Sequence, residues 1–122
     1  MNVKKLNKAI ETAKEEIGAG LVATDIYSSS DGQVLVGYNS QPKAAALFTS
    51  ITDFIINGLK KSQFPAVGKY YMIDLANDDM IFIIPLGEYE WGFLIDSNKV
   101  QLGLFLNVIL PSLLEKFEDA LS

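Results

Sequence analysis

Met-Ile-Phe-Ile-Ile-Pro-Leu, at Met80–Leu86, is the most informative stretch of this 122-residue chain. It is rich in β-branched and aromatic residues and too short for an ordinary helix, so it predicts a strand. Because side chains alternate along a strand, Ile81 and Ile83 share one face. Phe82 and Ile84 share the other. Both faces are apolar and need cover, which indicates a three-layer α/β/α arrangement with helices on each side of a sheet.

The composition excludes several kinds of functional site. The chain has ten lysines but no arginine, histidine or cysteine, and its net charge is −5. Without histidine and cysteine there is no Ser-His-Asp or Cys-His nucleophile and no zinc site made of those ligands. The negative charge argues against nucleic acid as a partner, since phosphate backbones bind basic surfaces.

The carboxylates are the remaining candidates for metal binding or acid–base chemistry. They fit no metal-binding loop, and the sequence predicts that they are solvated turn residues. These residues are Asp25, Asp31, Asp78, Asp79, Glu88, Glu90 and Asp96. The glycines form no phosphate-binding pattern. We therefore expect no catalytic residue, no cofactor and no metal.

No targeting segment is evident, and the most hydrophobic window, Val100–Leu114, contains Pro111 and several polar residues. That window is shorter than the roughly 20 residues that a membrane crossing needs. The N-terminus lacks an apolar run after its lysines, unlike a signal peptide. We expect one domain over residues 1–122, cytoplasmic and without membrane insertion.

Hydrophobic periodicity predicts three helices and four further strands. The Asp31-Gly32 pair predicts a hairpin turn, Gly18 the end of the first helix, and Pro111 a kink in the last. In order, the predicted elements are a helix over Asn2–Ile17, strands Leu21–Ser28 and Gln33–Tyr38, a helix over 42–61, strands Tyr70–Leu75, Met80–Leu86 and Tyr89–Ile95, and a helix over Lys99–Leu121.

The second predicted helix is apolar over an unusually wide arc. Its apolar side chains sweep roughly 200° of a helical wheel, and contact with one sheet needs only about half of that. The arc contains Ala44, Ala45, Leu47, Phe48, Ile51, Phe54, Ile55, Ile56 and Leu59. The excess predicts a second contact partner for this helix.

The element order, together with three short motifs, resembles the roadblock/dynein light-chain family. The motifs are the hairpin Leu21–Asp25 with Asp31–Val36, the strand end Ile83–Gly87, and the helix start Gln101–Leu104. The resemblance implies a roadblock/profilin-like fold with a five-stranded antiparallel sheet of order 2-1-5-4-3. It places the second helix on one face and the first and third helices on the other.

The same resemblance implies a homodimer formed through the second helix and the edge strand Tyr70–Leu75. That edge carries no proline, and Asp74 is its only evident protection against pairing. The predicted interface consists of Phe48, Ile51, Ile55, Leu59, Tyr70, Tyr71, Met72 and Ile73. In the alternative interpretation, loop Ser62–Gly68 covers the edge and the helix is simply well buried.

The function implied is that of a non-catalytic signalling scaffold that binds and regulates a small Ras-like GTPase. The predicted partner-binding residues lie on the outward side of the second helix. They are Lys43, Ala46, Ser50, Asp53 and Asn57. A small-molecule-sensing or other signalling module of profilin-like fold is the alternative. A large pocket would favour the sensor, whereas the bulky residues on both faces of Met80–Leu86 favour a filled core.

Overall fold

The computed structural model describes every residue from Met1 to Ser122. In chain order the elements are α1 Val3–Ile17, β1 Leu21–Ser28, β2 Val34–Tyr38, α2 Pro42–Lys61, β3 Tyr71–Asp74, β4 Asp79–Leu86, β5 Tyr89–Asp96 and α3, residues 102–121. This is the predicted order. The largest difference in boundaries is at the start of α3, predicted at Lys99 and found at Leu102.

The five strands form one sheet of order β2-β1-β5-β4-β3, with every neighbouring pair antiparallel. This confirms the predicted topology and places β4 inside the sheet, with β2 and β3 at its edges. A bulge interrupts the pairing of β1 with β2 between Ile26 and Tyr27. Tyr70, predicted to begin β3, lies just before it.

Strand β4 is covered on both faces, as its sequence predicts. Phe82 and Ile84 are buried in the core that the sheet forms with α1 and α3. Ile83 is buried on the opposite face, where α2 lies, while Ile81 on that face is half-buried. The alternation of a single strand thus requires helices on both sides of the sheet.

The core under α1 and α3 is packed with aromatic rings. Trp91 lies 4.7 Å from Phe93 and 5.4 Å from Phe117, measured between ring centroids, and Phe82 lies 4.5 Å from Phe105. Helix α1 closes this layer with a buried stripe at helical spacing. The stripe is Leu6, Ala9, Ile10, Ala13 and Ile17. Such dense packing supplies most of the hydrophobic stabilisation of a fold.

Helix α3 contains a π-helical segment before its proline. An α-helical turn at Leu102–Leu104 passes into the π segment Phe105–Ile109, and the α-helix then continues over Leu110–Leu121. Pro111 has no N–H to donate to the preceding turn, so the sequence predicts a kink or break there. A wider, π-helical turn lies just before the proline. No helix of the protein combines the length and apolar character that a membrane crossing requires.

The turn between β1 and β2 packs directly against α2. Gly32 has a φ of +73°, and a Cβ atom there would lie 2.9 Å from the Cα of Ala46. Only glycine suits both the backbone angle and the close approach. The Asp31 carboxylate accepts a hydrogen bond from the Gln33 backbone N–H at 3.0 Å, which supports the turn. The predicted Asp-Gly hairpin therefore also fixes the position of α2.

Candidate interaction surface

Helix α2 contacts the sheet through small side chains rather than through its large apolar ones. Only Ala45, Thr49 and Thr52 are buried along its 20 residues. The Thr49 hydroxyl donates to the carbonyl of Ala45 at 2.9 Å, so the buried oxygen is paired within the helix. Ala45 belongs to the predicted apolar arc, but Thr49 and Thr52 were not predicted to be buried, because threonine is an uncommon choice for a buried helix face.

Two of the largest apolar side chains of α2 face outward: Phe54 is 81% exposed and Leu47 is 54% exposed. Ile56 is exposed as well, but it lies one turn after Thr52, on the side of the helix that faces the sheet. The predicted interface residues Phe48, Ile51, Ile55 and Leu59 are half-buried along the flanks of the helix. The prediction that the apolar arc exceeds what the sheet covers is therefore confirmed. A large apolar patch on a surface marks a contact site for another molecule.

The other predicted interface residues are divided between the two faces of the β3 edge. Tyr71 and Ile73 lie on the α2 side and are half-buried, whereas Met72 lies on the opposite face and is exposed. Tyr70 packs towards the aromatic core, with its ring 6.3 Å from that of Phe82. No backbone hydrogen bond joins loop 62–68 to β3, so the outer side of this edge is unpaired.

The five predicted partner-binding residues are all exposed. Lys43, Ala46, Ser50, Asp53 and Asn57 follow one another at helical spacing along α2. Leu47 and Phe54 are their neighbours on the same helix and are exposed too. The outward surface of α2 is thus a mixture of polar and large apolar groups, and we call Leu47 and Phe54 the apolar patch.

A buried polar cluster lies between α2 and the sheet. The Thr52 hydroxyl is 2.6 Å from the Tyr71 hydroxyl and donates to the Glu90 carboxylate at 3.1 Å. Glu90 itself is only 1% exposed. A consistent assignment has the Tyr71 hydroxyl donating to Thr52, which in turn donates to Glu90. This chain of hydrogen bonds ties the middle of α2 to β3 and β5.

The burial of Glu90 and Asp25 corrects the expectation that all the acidic residues are solvated. Glu90 alternates with Trp91 along β5, so one side chain points to each face and Glu90 lies under α2. Burial raises the pKa of Glu90, and the hydroxyls of Tyr27 and Thr52 oppose that effect only in part. Burial also raises the pKa of Tyr71, and the nearby Glu90 adds to this.

Asp25 of β1 is hydrogen-bonded to the residue just before α2. One of its carboxylate oxygens, Oδ2, accepts a hydrogen bond of 2.8 Å from the backbone N–H of Gln41, the residue before the helix. The other oxygen, Oδ1, is buried and has no hydrogen-bond partner. The Tyr27 hydroxyl is also buried, and the Glu90 carboxylate is close to it. Burial raises the pKa of Tyr27, and the nearby negative charge of Glu90 raises it further.

Asp25 and Tyr27 both line a cavity of about 200 Å³ between the first half of α2 and the sheet. Its walls are otherwise mainly apolar, with Ala44 and Phe48 from α2 and Ile81 and Leu94 from the sheet among them. The sequence favours a filled core. The structure has one on the side of the sheet that α1 and α3 cover, whereas the α2 side has this cavity. No group of three or more acidic side chains is placed to hold a metal ion.

No protein-family model and no curated protein sequence matches the chain. Solved structures match it closely in fold. It is similar to MglB of Myxococcus xanthus, with a TM-score of 0.81 and 12% identity over 96% of this chain and 87% of MglB. It is also similar to the Roadblock/LC7 domain from Streptomyces avermitilis, with a TM-score of 0.65 and 12% identity over 94% of this chain and 96% of that domain.

Profilin IA of Acanthamoeba castellanii is a more distant match. Its TM-score is 0.57 and its identity 13%, over 88% of this chain and 92% of profilin IA. The strand order 2-1-5-4-3 and the division of the helices between the two faces agree with the expectation from the sequence. The chain therefore has the roadblock/profilin-like fold, the one it shares with MglB and the Roadblock/LC7 domain.

Proposed function

We propose that this chain is a non-catalytic homodimeric scaffold that binds and regulates a small Ras-like GTPase. The observation that carries the proposal is the apolar patch of α2, next to the unpaired β3 edge, on a roadblock fold. Phe54 at 81% exposure is costly to leave in water, since burying such a ring contributes about 1.5–3 kcal/mol. A second copy of the chain can cover the patch and extend the sheet at the same time.

The absence of arginine constrains how such a scaffold acts on a GTPase. An arginine supplied by a partner can speed GTP hydrolysis about 10³–10⁵-fold by stabilising charge in the transition state. This chain contains no arginine. Lysine lacks the planar fork that grips two phosphate oxygens. Any acceleration therefore comes indirectly, by holding the switch loops of the GTPase in their active arrangement.

The homodimer is tested by sedimentation velocity at high micromolar concentration, with a matched pair of variants. Ile55→Lys places a charge on the flank of α2 and should give a monomer. Val108→Lys places the same charge at an exposed apolar position on α3 and should leave the dimer intact. A monomeric wild type, or equal loss of the dimer in both variants, would remove this part of the proposal.

The GTPase is tested by capture from the native lysate and then with purified components. The wild type should retain a small Ras-like GTPase that mass spectrometry identifies. The double charge reversal Lys43→Glu with Asp53→Lys should weaken binding to that GTPase, because it inverts the charges of the outward α2 face. The control reverses Lys4 and Glu11 on α1, both exposed. Unchanged affinity in the α2 variant would exclude this face.

The catalytic mechanism is tested in the same reconstituted system. Alanine substitution of each lysine in turn should reduce GTP hydrolysis only as far as it reduces binding. A variant that binds normally but abolishes hydrolysis would instead identify a lysine that acts directly on the phosphates.

One observation supports the second candidate function, a small-molecule-sensing module. It is the cavity of about 200 Å³ under α2, which has mainly apolar walls. The two functions are compatible, because a scaffold can also respond to a ligand.

A further inference from the structure

We propose that the homodimer takes up a proton at Glu90, so that a rise in pH drives the two copies apart. The inference rests on the proposed homodimer and adds a means by which it is regulated, and its test needs no GTPase. The observation behind it is that a buried acid joins α2 to β3, the two elements through which the copies are proposed to meet.

Glu90 is connected to both elements through hydroxyl groups. Thr52 of α2 donates to the Glu90 carboxylate at 3.1 Å, and the Tyr71 hydroxyl of β3 lies 2.6 Å from that of Thr52. Glu90 and Thr52 are each 1% exposed, whereas Tyr71 is half-buried at the edge of the sheet. The acid is therefore linked by two hydrogen bonds to the surface that a second copy covers.

No basic side chain balances the charge of the Glu90 carboxylate. No ion pair of the protein includes it, and its paired residue on β4 is the uncharged Pro85. The titratable groups around it are the hydroxyls of Tyr27 and Tyr71 and the carboxylates of Asp25 and Asp53. Burial, and to a smaller degree the negative charge of Asp53, raise the pKa of Glu90.

Helix α2 separates Glu90 from water. Only Ala45, Thr49 and Thr52 of the helix are buried, and regions with few buried contacts open easily. In the free chain, water reaches an ionised Glu90 when α2 moves away from the sheet. In the dimer the second copy packs against α2 and the β3 edge, so the same movement breaks the interface. The ionised acid is therefore less stable in the dimer, and the pKa of Glu90 is higher there.

Proton linkage gives the direction of the effect. A group with a higher pKa in the dimer holds its proton more tightly there, so dissociation releases protons. The dissociation constant is therefore lowest when Glu90 is protonated, and it increases as the pH rises. Each unit by which association raises the pKa changes the dissociation constant about tenfold per copy.

The first test measures the dissociation constant by sedimentation velocity at a series of pH values above the isoelectric point of about 4.6. For the wild type it should rise about tenfold or more across the series. Glu90→Gln keeps the shape of the protonated acid and should bind equally well at every pH. Glu88→Gln removes the same charge at an exposed position and should follow the wild type.

The second test uses the wild type alone, so it does not depend on how the variants fold. The heat of dissociation on dilution is measured by calorimetry in two buffers with different heats of ionisation. The difference between the two heats gives the number of protons released, and up to one proton per copy is expected.

A wild type that is monomeric at every pH would overturn both the homodimer and its proton linkage. A dimer that releases no protons on dissociation, or whose pH profile is unchanged in Glu90→Gln, would overturn the linkage and leave the homodimer standing. A profile that Glu88→Gln flattens equally would assign the effect to the net charge of −5 rather than to Glu90, and would also overturn the linkage.

Discussion

The two faces of the sheet are built from different kinds of side chain. On the α1 and α3 side, Trp91, Phe93 and Phe117 are buried in contact with one another. On the α2 side the helix contributes small residues such as Thr52, which lies over the buried carboxylate of Glu90. One face is a dense aromatic core. On the other face, only three residues of α2 are buried, and a polar cluster and a cavity lie between the helix and the sheet.

This difference separates stability from interaction within one small fold. The aromatic face buries the large side chains and supplies the hydrophobic free energy that holds the fold. The α2 face leaves large side chains such as Phe54 in solvent and keeps a buried acid beneath the helix. Regions with few buried apolar contacts open more easily than dense cores. The α2 face is therefore the one suited to binding and to change.

The largest expected effect is on the aromatic face. Phe117→Ala should lower the free energy of unfolding by about 3–5 kcal/mol, because the fully buried ring leaves a cavity beside Trp91. Urea denaturation monitored by circular dichroism measures this loss. A loss as small as that of a surface substitution would contradict the division between the two faces.

The next effect concerns the turn on which α2 rests. Gly32→Ala should lower the free energy of unfolding by about 1–3 kcal/mol, through its positive φ and its approach to the Ala46 backbone. Gly58→Ala is the matched control within α2, where a Cβ meets nothing within 4 Å. It should stabilise the protein by about 0.5–1 kcal/mol. Equal effects of the two variants in urea denaturation would exclude the turn as a rigid support for α2.

A pH-dependent effect is expected at Glu90. Its pKa is raised above the ordinary value of 4.5 in the folded state, so the folded protein holds the proton more tightly than the unfolded chain. Stability due to this group is full below pH 4.5 and falls as the pH rises through the higher folded pKa.

Glu90→Gln should remove that fall, so that wild type loses more stability than the variant as the pH rises above 4.5. The urea midpoint at each pH gives the comparison. The control is Glu88→Gln, at an exposed neighbouring position. Parallel pH profiles of wild type and Glu90→Gln would show that the buried acid does not control the stability of the α2 face.

The smallest effect on the folded monomer is expected at the apolar patch. Phe54→Ser should change the free energy of unfolding of the monomer by no more than about 0.5 kcal/mol, since the ring is already in solvent. The same variant should weaken the proposed dimer, which dilution series in sedimentation velocity would measure. A large loss of monomer stability would mean that Phe54 packs against its own chain.

The sequence by itself determined the layers and the order of the elements, whereas the strand order 2-1-5-4-3 was expected only from the family resemblance. Alternation along Met80–Leu86 required helices on both faces of a sheet, and Asp31-Gly32 specified the first hairpin. The buried stripe of α1 could be read from its spacing, from Leu6 to Ile17. These features depend on local periodicity and turn chemistry, which are determined by residues close together in the sequence.

Only the tertiary structure decided what lies beneath α2. A helical wheel gives the width of an apolar arc, but it does not show which side of the helix packs against the sheet. Here the side that packs against the sheet carries Ala45, Thr49 and Thr52. The burial of Glu90 depends on its pairing within the sheet and on a helix distant in sequence. Contacts of this kind are set by packing across the fold, because the free energy of a buried charge depends on every group around it.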